Sequence, residues 1–186
     1  MKKLAVFFPG VGYTNDRPLM YYTKVIAKQY GYEILPVDYT GFPQNILGDP
    51  EKKKQSFLIA MEQAENILKD VNFDEYEDVL FVSKSIGNLV AGSIAAIKGL
   101  ETRNIYFTPI SETFDYISRP GIMFMGNDDP WADYDEMNAK CLEKGITSYL
   151  VEDANHSLEI GDVPSDLTRL KNVMAKVEQY IGDFEE

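Results

Sequence analysis

The sequence predicts an α/β protein in which helices cover both faces of a mainly parallel sheet. Short apolar runs alternate along the 186 residues with longer segments whose apolar residues recur at helical spacing, and this alternation is typical of strands joined by right-handed helical crossovers. Glycine follows a lysine at Gly99 and Gly145, which is the usual signal for the end of a helix. We therefore expect about six strands in one domain that spans residues 1–186.

Each element follows from its local pattern. The short apolar runs that predict strands are residues 4–8, 33–37, 79–82, 104–107, 122–125 and 147–151. The amphipathic segments that predict helices are residues 19–30, 51–69, 85–98, a short piece near 112, 133–144 and 165–181. Because parallel strands all end at one edge of their sheet, the turns that follow these strands should meet there and hold the functional site.

Charge and cysteine content argue against several classes of partner and compartment. Eighteen basic and thirty acidic residues give a formal net charge of −12 at pH 7, so neither nucleic acid nor an anionic membrane is expected as a partner. A single cysteine, Cys141, cannot form an internal disulfide, and the apolar stretch behind Lys2 and Lys3 stops at Pro9, too early for a signal peptide. We therefore expect a cytoplasmic protein whose acidic end, residues 182–186, is solvated.

Three of the predicted turns hold a serine, an aspartate and a histidine. Ser85 follows the third strand in SKSIG, Asp129 follows the fifth in GNDDP, and His156, the only histidine, follows the sixth in ANHSLE. A serine hydroxyl becomes nucleophilic when an imidazole removes its proton, and a carboxylate must orient that imidazole. The sharp turn from strand to helix at Ser85 also needs small neighbours, which Ser83 and Gly87 supply. These residues predict acyl-transfer chemistry.

On these motifs the chain resembles the α/β-hydrolase family over nearly its whole length. SKSIG is similar to the family's G-x-S-x-G turn, with Ser85 as the nucleophile and Ser83 in place of the first glycine. GNDDP resembles the family's acidic turn, in which the carboxylate falls three residues after glycine and just before proline, and this favours Asp129 over Asp128. The resemblance implies a trimmed α/β-hydrolase fold without a cap domain. It also implies a Ser-His-Asp triad, an acyl-enzyme intermediate, a small-molecule ester or related acyl substrate, and no cofactor or metal.

The resemblance also implies an oxyanion hole and an apolar substrate pocket. FFPGVG resembles the family's first-strand loop, so the backbone N–H groups of Val11 and Ile86 would stabilise the substrate oxygen. Aromatic residues on or near the site loops could line the pocket, although aromatics next to strand ends are equally often core. These candidates are Tyr13, Phe42, Phe107, Phe114 and Trp131.

Other interpretations compete with the hydrolase. Gly10 and Gly12 after the first strand, with Asp38 after the second, suggest a nucleotide site, but Asn15 stands where the third glycine of that fingerprint would be. Ser85 alone could be a helix N-cap, and the domain could bind a ligand without turning it over. A metal or phospho-acceptor site would use the acidic residues Asp128, Asp129, Asp133 and Asp135. Lys84, beside Ser85, is given no role by any of these patterns.

Overall fold

The computed structural model describes residues 2–118 and 120–183, and in them the predicted parallel sheet is present. Its six strands lie in the order β2-β1-β3-β4-β5-β6, and every neighbouring pair is parallel. The strands are β1 Lys2–Phe8, β2 Tyr32–Pro36, β3 Tyr76–Lys84, β4 Arg103–Phe107, β5 Ile122–Gly126 and β6 Thr147–Val151. The last three residues of the acidic end, predicted to be solvated, lie outside the described residues.

Helices connect the strands as the alternating pattern predicted. They are α1 Pro18–Gln29, α2 Pro50–Leu68, α3 Ile86–Lys98, α4 Thr113–Tyr116, α5 Tyr134–Lys144 and α6 Val163–Gly182, with a 3₁₀ turn at Phe73–Glu75. Helices α2 and α6 each begin with an aspartate N-cap and a proline in the first turn. Asp49 accepts from the N–H of Lys52 at the start of α2, and Asp162 accepts from that of Ser165 at the start of α6. Glycine ends α3 and α5 in the left-handed conformation.

The sheet buries both of its faces, and the alternation of side chains along β1 shows how. Ala5 and Phe7 pack in one core with α1 and α6, whereas Leu4, Val6 and Phe8 pack in a second core with α2 and α3. A third cluster, centred on Met123, Met137 and Cys141, joins α5 to the same side as the second. Because alternate side chains are buried on the two faces of the sheet, the edge at the ends of the strands is where polar functional groups can remain accessible.

Strand β3 is longer than the predicted residues 79–82, since it runs from Tyr76 to Lys84. The residues at both ends of the strand are polar, so the pattern of apolar residues predicted a shorter strand. Asp78 is buried near the first end, where it accepts hydrogen bonds from the Tyr32 hydroxyl and the Arg103 guanidinium. The last two residues of the strand are also polar, buried and hydrogen-bonded. Buried polar groups that have hydrogen-bond partners are stable inside a strand. A prediction that ends the strand at the first polar residue therefore makes it too short.

The strand connections leave the site edge open. Between β4 and β5 the four-residue helix α4 is the only regular element among the described residues, and no cap domain is inserted in the part of the chain that the structure describes. In residues 2–118 and 120–183, no helix combines the length and apolar character needed to cross a membrane.

Candidate active site

Ser85 occupies the apex of the turn between β3 and α3. Its φ of 56° and ψ of −124° lie in a region that non-glycine residues rarely adopt, and such a residue stores roughly 1–3 kcal/mol of backbone strain. Helix α3 begins one residue later than predicted, at Ile86, and the Ser85 side chain makes no capping hydrogen bond. The strained backbone instead presents the hydroxyl at the edge of the sheet, which argues against a simple N-cap role.

Two small residues allow this turn to form. A Cβ atom on Gly87 would overlap the carbonyl oxygen of Phe8, so only glycine lets the start of α3 cross the end of β1. Ser83 replaces a glycine of the family motif, and its hydroxyl is fully buried and donates to Asn88 Oδ1 at 2.7 Å. The Asn88 amide in turn donates to the carbonyl of Phe107 at 3.2 Å. A hydrogen-bonded pair thus accommodates the extra hydroxyl.

The turns that follow β5 and β6 are joined to each other. The carbonyl of Ala154 accepts from the N–H of Asp128 at 3.1 Å, and the N–H of Asp153 donates to Asn127 Oδ1 at 2.6 Å. A Cβ atom on Gly126 would overlap the carbonyl oxygen of Ala154, so glycine permits this close approach. The loop of the predicted acid and the loop of the predicted base are therefore held as one unit.

A continuous chain of hydrogen bonds links the three predicted side chains. His156 Nε2 lies 2.8 Å from Ser85 Oγ, and His156 Nδ1 lies 2.7 Å from Asp129 Oδ2. The second Asp129 oxygen accepts from the N–H of Trp131 at 2.9 Å, which fixes the carboxylate. Of the two adjacent aspartates, Asp129 contacts the imidazole and its side chain is 4% exposed, whereas Asp128 is exposed. These distances match the arrangement that a serine nucleophile, a histidine base and an orienting carboxylate would require.

The environment of His156 favours the neutral imidazole that a general base requires. Burial lowers its pKa below the ordinary 6.5; the Asp129 hydrogen bond raises it, and the positive charge of Lys84 lowers it further. A lowered pKa leaves the ring unprotonated at neutral pH and therefore able to accept the Ser85 proton.

The two predicted oxyanion donors flank Ser85. Val11 and Ile86 both line the same cleft as the serine. Ile86 is the first residue of α3, and the N–H groups at the start of a helix have no intrahelical acceptor. Gly10 packs so closely behind Ser85 that an added Cβ would lie 3.2 Å from Ser85 Cβ. The use of these N–H groups in catalysis stays a prediction.

A cleft of about 640 Å³ opens beside Ser85 and His156. Its walls are mostly apolar, and one wall is the loop of residues 42–47 between β2 and α2. The Trp131 ring covers the imidazole, with the two ring centres 5.4 Å apart. One charged side chain reaches the cleft among its described lining, Lys53, and it is paired with Glu112 at 2.6 Å. The apolar side chains of the wall are Val11, Phe42, Pro43, Ile46, Leu47, Ile86, Ile110 and Trp131, and the polar ones from the 42–47 loop are Gln44 and Asn45.

Two of the five aromatic candidates line this cleft, Phe42 and Trp131. The expectation for Phe107 is wrong, because its ring is fully buried and stacks on Phe124 with the ring centres 5.4 Å apart. Phe114 is also core, 7% exposed. Tyr13 faces away from the cleft, with its hydroxyl accepting from the N–H of Leu19. A position near a strand end does not say toward which side a ring points.

The acidic residues of the competing sites are bonded within the protein. Asp38, the candidate ribose ligand, accepts a hydrogen bond from Asn15 at 2.9 Å. Asp133, from the acidic cluster, caps helix α5 by accepting from the N–H of Glu136. Asp129 is bonded to the imidazole. These three carboxylates, invoked for nucleotide or metal binding, thus have structural partners.

One residue at the site carried no sequence-based role. Lys84 is 1% exposed, and its Nζ lies 2.9 Å from Thr108 Oγ1 and 2.8 Å from the backbone oxygen of His156. The signal available in the sequence was a lysine at the end of an apolar strand, directly before the serine. Cleft residues such as Ile46 and Ile110 were also missed, because they lie in loops without a hydrophobic period.

Comparison with known proteins supports the same architecture. No protein-family model and no curated protein sequence matches the chain. Among solved structures, Est1E from Butyrivibrio proteoclasticus, which was solved with bound ferulic acid, superposes with a TM-score of 0.63 at 10% identity, covering 94% of this chain and 89% of that one. A serine hydrolase without a lid from Xanthomonas campestris gives a TM-score of 0.63 at 12% identity, covering 98% and 82%.

A third structure, a serine hydrolase homologue from Coxiella burnetii, gives a TM-score of 0.61 at 14% identity and covers 92% of this chain and 84% of that one. Likeness at such low identity establishes the fold and leaves the activity open. The chain therefore has the α/β-hydrolase fold, in a small form without a cap among its described residues, as its motifs predicted.

Proposed function

We propose that this protein is a serine hydrolase that cleaves a carboxylic ester or related acyl bond of a small molecule. The observation that carries the proposal is the hydrogen-bonded chain from Ser85 through His156 to Asp129 at the mouth of an apolar cleft. Three observations are not needed for a helix cap or for an accidental polar cluster. The backbone of Ser85 is strained, the Asp129 side chain is buried, and the only histidine is hydrogen-bonded to both of these residues.

In this mechanism Ser85 Oγ attacks the substrate carbonyl while its proton passes to His156 Nε2. The Nδ1–H of His156 donates to Asp129, which stabilises the imidazolium, and the N–H groups of Val11 and Ile86 bind the oxyanion. His156 then protonates the leaving alcohol as the carbon–oxygen bond breaks, which leaves an acyl group on Ser85. Water attacks the acyl-enzyme with His156 as base, and the acid is released.

The cleft favours uncharged, apolar acyl or alcohol groups. Its walls are mostly hydrophobic, and the charge of Lys53 is offset by Glu112. An open cleft without a cap suits short esters or an acyl group presented on a larger molecule. The proposal extends to a cytoplasmic location, which the lone cysteine supports, and to partners other than nucleic acid, which the net charge of −12 supports.

Turnover of p-nitrophenyl acetate and butyrate tests the proposal. Ser85→Ala and His156→Ala should each lower kcat/KM by at least about a thousandfold. Ser93→Ala on helix α3 is the matched control for a serine change, and it should leave turnover unchanged. Equal rates in wild type and both site variants would overturn the assignment.

A fluorophosphonate probe separates the hydrolase from a binding domain with the same fold. The probe should label wild type at Ser85 and should fail to label Ser85→Ala, as read by mass spectrometry of the labelled peptide. Well-folded wild type that neither reacts with the probe nor turns over esters would favour a domain that binds without catalysis.

A further inference from the structure

Lys84 points into the protein beneath the loop that carries His156. Its Nζ donates to Thr108 Oγ1 at 2.9 Å and to the backbone oxygen of His156 at 2.8 Å, and it lies 4.4 Å from the centre of the Tyr13 ring. An ammonium has three N–H groups. Two neutral acceptors and one aromatic face therefore match an ammonium.

The charge of this group is not balanced by a direct ion pair. Both hydrogen-bond acceptors are neutral, and among the described residues no carboxylate forms an ion pair with Lys84. Burying an unpaired charge costs several kcal/mol, whereas a methionine would fill similar space without that cost. A side chain that served only to pack would thus be apolar here, and this points to a role for the ammonium.

We propose that Lys84 is a positioning residue for His156, anchoring the backbone of the histidine loop through the His156 carbonyl and holding a positive charge next to that residue. Its catalytic consequence rests on the proposed hydrolase function. Lys84 does not line the cleft, so it acts through His156 and not on the substrate. Asp129 and Lys84 then act on one ring in opposite senses, the first stabilising the imidazolium and the second keeping the resting ring neutral.

The groups that face Lys84 make this coupling effective in the pH range where His156 titrates. The charges of Asp129, in the β5–α5 loop, and Glu159, in the β6–α6 loop, act on Lys84 electrostatically. His156 contacts it through its backbone oxygen, and the Tyr13 ring, in the β1–α1 loop, lies 4.4 Å from its Nζ; burial raises the pKa of Tyr13 to about 12. Burial lowers the pKa of Lys84 from 10.5 to about 7, and the two carboxylates oppose that shift. The ammonium therefore predominates below about pH 7, where an imidazole gains its proton.

The test compares wild type with Lys84→Met by NMR. Because His156 is the only histidine, its ring signal is unambiguous. The pKa of His156 should rise by about 0.5 or more in Lys84→Met, since a like charge has been removed. Lys28→Met removes an exposed charge from the last turn of α1, at the opposite edge of the sheet, and should leave the His156 pKa unchanged. An unchanged His156 pKa in folded Lys84→Met would overturn the charge role.

Ester turnover tests the anchoring role. In Lys84→Met, kcat for p-nitrophenyl butyrate should fall about tenfold or more, while KM should change by less than about twofold because the cleft is intact. The acidic limb of kcat/KM should move to higher pH with the His156 pKa. Thr108→Val keeps the lysine and a β-branched side chain but removes one acceptor, so a smaller fall in kcat is expected. Unchanged kcat in both variants would overturn the anchor.

Two features keep the outcome decisive. If Lys84→Met fails to fold, the pH titration of the His156 ring signal in wild type is still informative. That titration curve should show a second inflection near pH 7, where Lys84 loses its proton. A curve with one inflection at an ordinary histidine pKa would contradict the coupling. The NMR measurement also needs no turnover. A shifted His156 pKa in a protein that hydrolyses nothing would retain the coupling and reject the proposed function.

Discussion

His156 Nε2 lies 2.8 Å from Ser85 Oγ although the two residues are 71 positions apart in the chain. Strands β4 and β5 separate their parent strands in the sheet, so the ends of β3 and β6 are three strand spacings apart, about 14 Å. The histidine loop must therefore reach back across the sheet edge. Hydrogen bonds to the loop after β5 and to Lys84 hold the histidine loop in this position.

Replacement of Asp129 should abolish most of the activity. Asn at this position keeps the shape but cannot stabilise an imidazolium, so Asp129→Asn should lower kcat at least about a hundredfold. Asp128→Asn is the matched control, since Asp128 is exposed, and its kcat should lie within about twofold of wild type. The measurement is p-nitrophenyl butyrate turnover at several pH values. The reverse ranking would make Asp128 the orienting acid.

Alanine at Gly87 should disturb the turn at Ser85. Its Cβ would overlap the Phe8 carbonyl oxygen, so α3 must move, at a cost of about 3 kcal/mol or more in the free energy of unfolding. The control is Gly31→Ala, where φ is 81° and no heavy atom lies within 4 Å of an added Cβ; backbone strain alone should cost about 1–2 kcal/mol there. Urea unfolding measures both, and a Gly87→Ala protein as stable and active as Gly31→Ala would contradict the close approach.

Two aromatic residues of the cleft should differ in their kinetic effects. Phe42→Ala removes apolar contact area only, so KM should rise about tenfold with kcat within about twofold. Trp131→Ala also exposes the imidazole that its ring covers, so kcat should fall about tenfold in addition. Steady-state kinetics with p-nitrophenyl butyrate distinguish the two patterns. Identical patterns would mean that Trp131 does not support His156.

Lys84 should make the stability of the protein depend on pH above neutrality. Its pKa is about 7 in the folded state and 10.5 as its ordinary value. Between these values the unfolded state binds more protons, so the free energy of unfolding should rise by about 1–2 kcal/mol from about pH 7 to pH 8.5. Below pH 7 both states are protonated and this contribution is absent.

Urea unfolding across that range checks the prediction, with Lys84→Met as the comparison. The variant should lack this rise because methionine does not titrate, whereas Lys28→Met should keep it. A wild-type stability that stays flat over this interval, or an equal rise in Lys84→Met, would show that Lys84 titrates well above pH 8.5.

The sequence by itself was sufficient for the α/β architecture and for the three side chains of the candidate site. Strand and helix periods are local properties, and parallel strands bring their ends to one edge without further information. Ser85, Asp129 and His156 each follow a strand, so topology alone places them at one edge of the sheet, while the loop contacts bring them within hydrogen-bond distance. Asp129 could be favoured over Asp128 only by resemblance to a family motif.

Only the tertiary structure decided where side chains point and what their charges face. Phe107 and Phe42 both lie near strand ends, yet one is core and the other lines the cleft, because orientation at a loop depends on packing from distant segments. The place of Lys84 at the end of an apolar strand does not say whether its charge is buried, but Thr108 after β4 and a loop 72 residues away enclose it. Burial and electrostatic environment are sums over the whole fold, so no local pattern contains them.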